Sequence, residues 1–243
     1  MKKQIPNILT LCNLLCGVFS VVVSTSQFVS LEWAVVLIFC GAVFDFFDGF
    51  SARLLHVASP IGKELDSLAD LITFGFAPAA ITSGIVQHIL FPGMLFENES
   101  LSAYEYILIF FPYIIVAFSA LRLAKFNLDT RQSHSFIGLP TPANAIFFAS
   151  FAFIPSLDEI PVELIDVLCL LFSIMLIVEI PMFSLKFQNF SWADNKIRFI
   201  FLALAIVLLL LLQLSALTYI MISYILLSVI DDIVNKRTPN TIQ

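Results

Sequence analysis

The chain has 243 residues, of which 60% are hydrophobic and only 12% are charged. Soluble domains carry about 25% charged residues, so this composition excludes an ordinary soluble globular protein. The formal net charge is −6, and no basic tail or alternation of basic and aromatic residues is present. We therefore expect no nucleic acid among the partners.

Long apolar segments recur along the whole chain. Because a helix needs about 20 apolar residues to cross a bilayer, this pattern predicts an all-α, polytopic membrane bundle. No loop is long enough to hold a soluble core, so residues 1–243 are predicted to form a single membrane domain. Eight crossings are predicted, at residues 7–26, 32–54, 66–91, 105–126, 141–157, 162–184, 197–213 and 215–233. Glu179 falls deep within the sixth of them.

The distribution of charge predicts the orientation of these helices. With eight crossings, every basic residue falls on one side: Lys2, Lys3, Arg53, Lys63, Arg122, Lys125, Arg131, Lys186, Lys196, Arg198, Lys236 and Arg237. The loops on the other side carry acids and no basic residue: Glu32, Glu97, Glu99, Glu105, Asp158, Glu159 and Glu163. The positive-inside rule then predicts that both termini are cytoplasmic.

The second and third predicted helices carry an unusual group of acids. The segment DFFDGFSARLLHVASPIGKELDSLAD fits the pattern D-x2-D-G-x2-A-R-x8-G-x3-D-x3-D. Ionisable groups are costly at membrane depth, where they usually mark ion or substrate sites. The eight fixed positions are Asp45, Asp48, Gly49, Ala52, Arg53, Gly62, Asp66 and Asp70.

Helical spacing predicts that these acids meet. Asp45 and Asp48 are three residues apart, and Asp66 and Asp70 are four apart, so each pair shares one face of a helix. Four neighbouring carboxylates repel one another, and hard divalent cations that prefer oxygen ligands, such as Mg²⁺ or Mn²⁺, remove that repulsion. Two such ions can hold a phosphate from both sides.

The residues around the acids suit the same ligand. Gly49 and Ala52 are small where a ligand or another helix comes close, and Arg53 has the shape to hold phosphate oxygens. Pro60 and Gly62 favour a turn in the connection between the two helices. The sequence therefore predicts a metal-bound phosphate or pyrophosphate at the cytoplasmic edge of the membrane.

Two other interpretations of the acids stay open. They could form plain ion pairs with Arg53 and Lys63, although two bases cannot neutralise four acids. They could also serve a cation-coupled transporter as an intramembrane relay. Inverted internal repeats would favour a transporter, and none is apparent in the sequence.

The pattern resembles the signature of the CDP-alcohol phosphotransferases. The resemblance implies transfer of a phosphatidyl group from CDP-diacylglycerol to an alcohol, with release of CMP. It also implies that Asp45 and Asp66 bridge two divalent metals and that Asp48 completes one metal site. Asp70 would contact the other metal and take the proton of the acceptor hydroxyl. Nucleotide-binding positions would be Gly49, Ala52, Arg53, Ser59 and Gly62.

Segments outside the pattern resemble the membrane-embedded bacterial phosphatidylserine synthases of this family. In IPNILTLCNLLCG (5–17), Asn7, Thr10 and Asn13 form one helical stripe. These three either line the cytidine end of the cavity or form hydrogen bonds between helices. The other segments are ALRLAKFN (120–127) and FIGLPTPANA (136–145).

This second resemblance implies L-serine as the acceptor, with glycerol 3-phosphate or an inositol as the alternative. Arg122 either holds the carboxylate of serine or anchors the cytoplasmic end of its helix, and Asn127 is a further acceptor-site candidate. The resemblance also implies a homodimer in the bacterial inner membrane, with its active site facing the cytoplasm. A six-helix family core would occupy about 5–185, followed by an additional hairpin at about 197–234.

Overall fold

The computed structural model describes residues 4–26, 29–57, 59–92, 101–128, 136–183 and 191–237. Nearly all regular structure within these ranges is helical. The α-helices are α1 (Gln4–Ser24), α2 (Leu31–Leu54), α3 (Pro60–Asp70), α4 (Ala77–Leu90), α5 (Ala103–Phe110), α6 (Ile114–Leu128), α7 (Thr141–Ala149), α8 (Val162–Ile177), α9 (Trp192–Leu212) and α10 (Ala216–Arg237).

Short segments of other helix types join several of these helices. The π-helix Leu71–Phe76 connects α3 to α4 without interruption. Four 3₁₀ segments are Phe111–Tyr113, Ser150–Phe153, Leu157–Glu159 and Gln213–Ser215. Two-residue strands, β1 (Phe136–Ile137) and β2 (Pro181–Met182), pair antiparallel, with Phe136 opposite Met182.

The prediction of an all-helical membrane protein is confirmed. Among the described residues, five helical stretches are long and apolar enough to cross a membrane: Gln4–Ser24, Leu31–Leu54, Pro60–Leu90, Ala103–Leu128 and Asn195–Ile233. The Thr141–Phe153 stretch and α8 are apolar but shorter. Each predicted crossing contains a helix, but the number of eight crossings and the cytoplasmic termini stay predictions.

The helices run between two ends of the bundle. At one end, the start of α3 lies beside Asn7 of α1 and meets the last turn of α6, where Lys63 donates a hydrogen bond to the carbonyl of Asn127 at 2.8 Å. At the other end, Ser24, Leu31 and His88 line a cavity together with Asp158. The acidic pattern and the described part of the acid-rich loops therefore lie at opposite ends.

The connection between α2 and α3 corrects one prediction. Pro60 and Gly62 do not form the turn, because both already belong to the first turn of α3. Ser59 caps this helix, and its hydroxyl accepts a hydrogen bond from the Gly62 amide at 3.1 Å. Proline at the first helical position lacks only an amide that would have no helical partner, so Ser59–Pro60 favours a helix start here.

The end of α8 corrects a second prediction. The sixth crossing was expected to reach residue 184, but the helix ends at Ile177 and Val178 is extended. Pro181 prevents the helix from continuing to residue 181, because its ring would clash there with the Ile177 carbonyl and it has no amide to donate, and it disfavours a helical conformation of Ile180. Glu179 therefore lies beyond the helix, exposed, and not deep within it.

The C-terminal hairpin of α9 and α10 packs on α7 and β2. Ser215 donates a hydrogen bond to the carbonyl of Phe153 at 2.6 Å, and Tyr224 donates one to the carbonyl of Phe183 at 2.9 Å. The hairpin thus attaches through the half of the bundle that follows α6.

Part of the charge pattern falls outside the described residues. This applies to Lys2, Lys3, Glu97, Glu99, Arg131 and Lys186, and only the backbone of Lys236 and Arg237 is described. The orientation predicted from charge therefore stays a prediction.

Candidate active site

Four aspartates from two helices meet at the end of the bundle that holds the start of α3. Ligand oxygens of Asp45, Asp48 and Asp66 all lie within 4.8 Å of one another. The Asp45 carboxyl also contacts the carboxyl groups of both Asp66 and Asp70. The helical spacing thus does bring α2 and α3 together through their acidic faces.

Helix α1 supplies hydrogen-bond donors to two of these acids. The Thr10 hydroxyl lies 2.6 Å from Oδ2 of Asp48 and 3.0 Å from the carbonyl of Pro6. A hydroxyl has one proton, and the shorter distance and the charged acceptor favour Asp48. Asn13 donates from Nδ2 to Oδ1 of Asp70 at 3.2 Å. Both residues form hydrogen bonds between helices, the second of the two roles expected for them.

The donor set is suited to hard divalent cations. Asp48 is buried, whereas Asp45, Asp66 and Asp70 are half-buried. The cluster offers carboxylate oxygens alone, which are the ligands that Mg²⁺ and Mn²⁺ prefer. Converging carboxylates without compensating charge would repel one another, so the arrangement fits bound metal ions.

The candidate nucleotide-binding residues lie around this cluster. The Arg53 guanidinium reaches back over Gly49, where a β-carbon would be 3.5 Å from Nη1. Arg53 is exposed, and its charge acts on the carboxyl of Asp48. Ala52 is half-buried on the same helix. The guanidinium can therefore reach a ligand that touches the acids.

A second group of these candidates lies where α1 meets the start of α3. A β-carbon on Gly62 would be 3.1 Å from Oγ of Ser59 and 3.3 Å from Oδ1 of Asn7. Gly62 therefore allows the side chains of Asn7 and Ser59 to approach each other. The structure brings these three predicted residues together one turn before Asp66.

The two acceptor-site candidates occupy different surroundings on α6. Arg122 is only 4% exposed, its Nε donates to the carbonyl of Leu139 at 3.4 Å, and its guanidinium lies 5.4 Å from the ring centroid of Phe126. Asn127 donates to the hydroxyl of Ser67 at 2.8 Å and fastens the end of α6 to α3. Asn127 thus touches the residue next to Asp66.

A further contact beside the acids is not indicated by any pattern in the sequence. Thr73 lies in the π-helix that follows Asp70, is fully buried, and donates to the carbonyl of Asn13 at 2.9 Å. A buried threonine is common in membrane helices, and nothing in the spacing distinguishes this one. Only the three-dimensional packing of α1, α2 and the π-helix identifies it.

Comparison with known proteins supports the chemistry that this geometry permits. Residues 3–178 match the model of the CDP-alcohol phosphatidyltransferase family. The chain belongs to this family. The CDP-diacylglycerol–serine O-phosphatidyltransferase of Bacillus subtilis is 35% identical over 158 residues, which are 64% of this chain and 80% of that protein.

Two further relatives have a similar sequence identity over smaller shares of their own length. The CDP-diacylglycerol–serine O-phosphatidyltransferase of Helicobacter pylori strain J99 is 37% identical over 144 residues, 58% of this chain and 54% of that protein. The archaetidylserine synthase of Methanothermobacter thermautotrophicus is 33% identical over 153 residues, 60% of this chain and 57% of that protein. The family assignment thus covers both helices that carry the aspartates.

Proposed function

We propose that this protein transfers the phosphatidyl group of CDP-diacylglycerol to the hydroxyl of L-serine, giving phosphatidylserine and CMP. The observation that carries the proposal is the convergence of Asp45, Asp48, Asp66 and Asp70 in a member of the CDP-alcohol phosphatidyltransferase family. Serine as the acceptor rests on relatives whose names contain serine and on the segments around Asn7 and Arg122.

The four aspartates would hold two divalent cations, Mg²⁺ or Mn²⁺. Asp45 and Asp66 would bridge the pair, Asp48 would complete one site, and Asp70 would complete the other. Such ions neutralise charge that develops on a pyrophosphate and orient it for displacement. The Thr10 and Asn13 hydrogen bonds fix carboxylate oxygens of Asp48 and Asp70, which prepares the cluster before any ion binds.

Asp70 would act as the general base. It is half-buried, Asn13 donates to its Oδ1, and Oδ2 would be the oxygen that meets the acceptor. In the proposed reaction this oxygen accepts the proton of the serine hydroxyl as the serine oxygen bonds to the diacylglycerol-linked phosphorus. The bond from that phosphorus to the CMP oxygen breaks, and CMP leaves. Most of the rate enhancement would come from positioning and electrostatic stabilisation.

The remaining candidates divide between the two substrates. Arg53 would hold phosphate oxygens of the donor, with Gly49 and Ala52 leaving space beside it. Asn7, Ser59 and Gly62 would border the nucleotide on the α1 side. For serine, Arg122 is the candidate partner of the carboxylate, and Asn127 would act by holding α6 against α3.

The membrane arrangement follows from the charges. We infer eight crossings with both termini in the cytoplasm of a bacterium, and a single membrane domain in its inner membrane. The family core would span about 5–185 and the additional hairpin about 197–234. The aspartates would then face the cytoplasm, where serine arrives while the acyl chains of the donor stay in the bilayer. We also propose that the protein forms a homodimer.

A transfer assay with the purified protein in detergent tests the function. CDP-diacylglycerol, isotope-labelled serine and Mn²⁺ or Mg²⁺ should give labelled phosphatidylserine and CMP in equal amounts. EDTA should abolish both products, and an excess of the metal should restore them. Product from glycerol 3-phosphate or inositol, but none from serine, would overturn the acceptor. No CMP with any of these acceptors would overturn the transferase itself.

A further inference from the structure

The helix that carries Asp66 and Asp70 changes its geometry immediately after Asp70. The six residues from Leu71 to Phe76 are π-helical, and α4 continues directly from Ala77. A π-helical turn inserts an additional residue into a helix, and such turns are frequent at functional sites. The direction of Asp70 therefore depends on how this turn is held.

Asn13 of α1 forms hydrogen bonds both to Thr73, inside the π-helical turn, and to Asp70. The Thr73 hydroxyl donates to the main-chain carbonyl of Asn13 at 2.9 Å, whereas the side-chain amide of Asn13 donates to Oδ1 of Asp70 at 3.2 Å. One residue of α1 thus fastens two points, three residues apart, on the helix that carries the proposed base.

Two glycines make room for the Thr73 side chain. A β-carbon on Gly17 of α1 would lie 2.5 Å from Oγ1 of Thr73 and 2.8 Å from its Cα. A β-carbon on Gly41 of α2 would lie 2.5 Å from Cγ2 of Thr73. The hydroxyl therefore faces α1 and the methyl group faces α2, and close approach of the three segments requires a glycine on both helices.

We propose that Thr73 is a positioning residue for the transfer reaction. It fixes the π-helical turn against Asn13 and so sets the direction of Asp70 towards Asp45. The inference rests on the proposed function, its kinetic part on the transfer reaction and its metal-binding part on the proposed divalent cations alone. Hydroxyl and methyl have separable roles: the hydroxyl fixes the turn to α1, and the methyl fills the space beside Gly41.

Three variants separate positioning from a general effect on folding. Thr73→Val keeps the shape and removes the hydroxyl, whereas Thr73→Ser keeps the hydroxyl and removes the methyl. Thr82→Val is the matched control. Thr82 is also fully buried, on the same continuous helix, and its hydroxyl donates within that helix to the carbonyl of Pro78 at 2.8 Å.

The kinetic experiment measures kcat, both KM values and the melting temperature of each purified variant. We expect Thr73→Val to lower kcat roughly tenfold with little change in KM, as for residues that orient active-site ligands. Thr73→Ser should retain most of the wild-type kcat although it melts earlier, and Thr82→Val should keep the wild-type kcat. Wild-type kcat in Thr73→Val, or an equal loss in Thr82→Val, would overturn the positioning role.

Mn²⁺ binding, measured by calorimetry without substrates, gives the second readout. Thr73→Val should bind Mn²⁺ more weakly than the wild type, and Thr73→Ser should bind it with nearly wild-type affinity. If the wild-type protein transfers no phosphatidyl group to any acceptor, the proposed function fails and this measurement alone decides on Thr73. Equal Mn²⁺ affinity in Thr73→Val and wild type would then refute the inference.

Discussion

The Thr10–Asp48 hydrogen bond allows a quantitative test of the proposed metal site. At 2.6 Å between buried groups, it is a short hydrogen bond to a carboxylate. Hydrogen bonds to charged groups contribute about 1.5–3 kcal/mol. Thr10→Val removes the hydroxyl with little change in shape and leaves Oδ2 of Asp48 without its donor. Removing a donor that orients a metal-binding carboxylate typically weakens metal binding ten- to a hundredfold, which is about 1.4–2.8 kcal/mol at 1.4 kcal/mol for each factor of ten.

The assay is a titration of transferase activity with Mn²⁺, and the measured quantity is the concentration that gives half-maximal activity. Ser20→Ala is the matched control, because Ser20 is equally buried on α1 and donates to the carbonyl of Ala34 at 2.8 Å, on the same partner helix. This control should lose about 1 kcal/mol of stability and keep its metal requirement. A folded Thr10→Val variant with the same metal requirement as Ser20→Ala would refute the reasoning.

Three more predictions follow from other contacts. Asp70→Asn should abolish turnover while binding of CDP-diacylglycerol stays measurable, and normal turnover would contradict the base assignment. Gly138→Ala should lower the free energy of unfolding by about 1–3 kcal/mol, because Gly138 has φ +82° and a β-carbon there would lie 2.8 Å from the carbonyl oxygen of Leu176. An unchanged melting temperature would contradict this. Asn127→Ala should lower both stability and kcat, since it releases α6 from Ser67, and a rise in the KM for serine alone would instead indicate direct contact with the acceptor.

The sequence predicted the acidic cluster because helical spacing is a local property. Intervals of three and four residues place Asp45 with Asp48, and Asp66 with Asp70, whatever surrounds the helices. Ionisable residues in apolar segments then need a common ligand or partners, which indicated that the two faces meet. The stripe of Asn7, Thr10 and Asn13 was also visible, but its hydrogen bonds to the acids depend on how α1 packs.

Two helix boundaries could have been predicted better from local chemistry. Ser59–Pro60 is a favourable start for a helix, and Pro181 prevents α8 from continuing to the predicted end at residue 184. Hydropathy, on which the predicted crossings rest, does not detect such boundaries. It therefore predicts that Glu179 lies within a helix.

The π-helical turn could not be predicted from the sequence. It depends on Thr73 fitting between Gly17 and Gly41, three residues that are far apart in the chain. Glycine and threonine are ordinary residues of membrane helices, so none of them singly indicates a packing site. The resulting direction of Asp70 is a property of three packed segments and not of any one of them.

The number of Mn²⁺ ions bound by the purified protein tests the central claim most directly. Electron paramagnetic resonance on the metal-saturated protein should show two magnetically coupled Mn²⁺ ions per chain, and Asp45→Asn and Asp66→Asn should each abolish the coupling. Asp166→Asn, which changes a buried acid on α8, should leave the signal intact. A single uncoupled ion, or a coupled pair that survives in either Asp45→Asn or Asp66→Asn, would contradict the account.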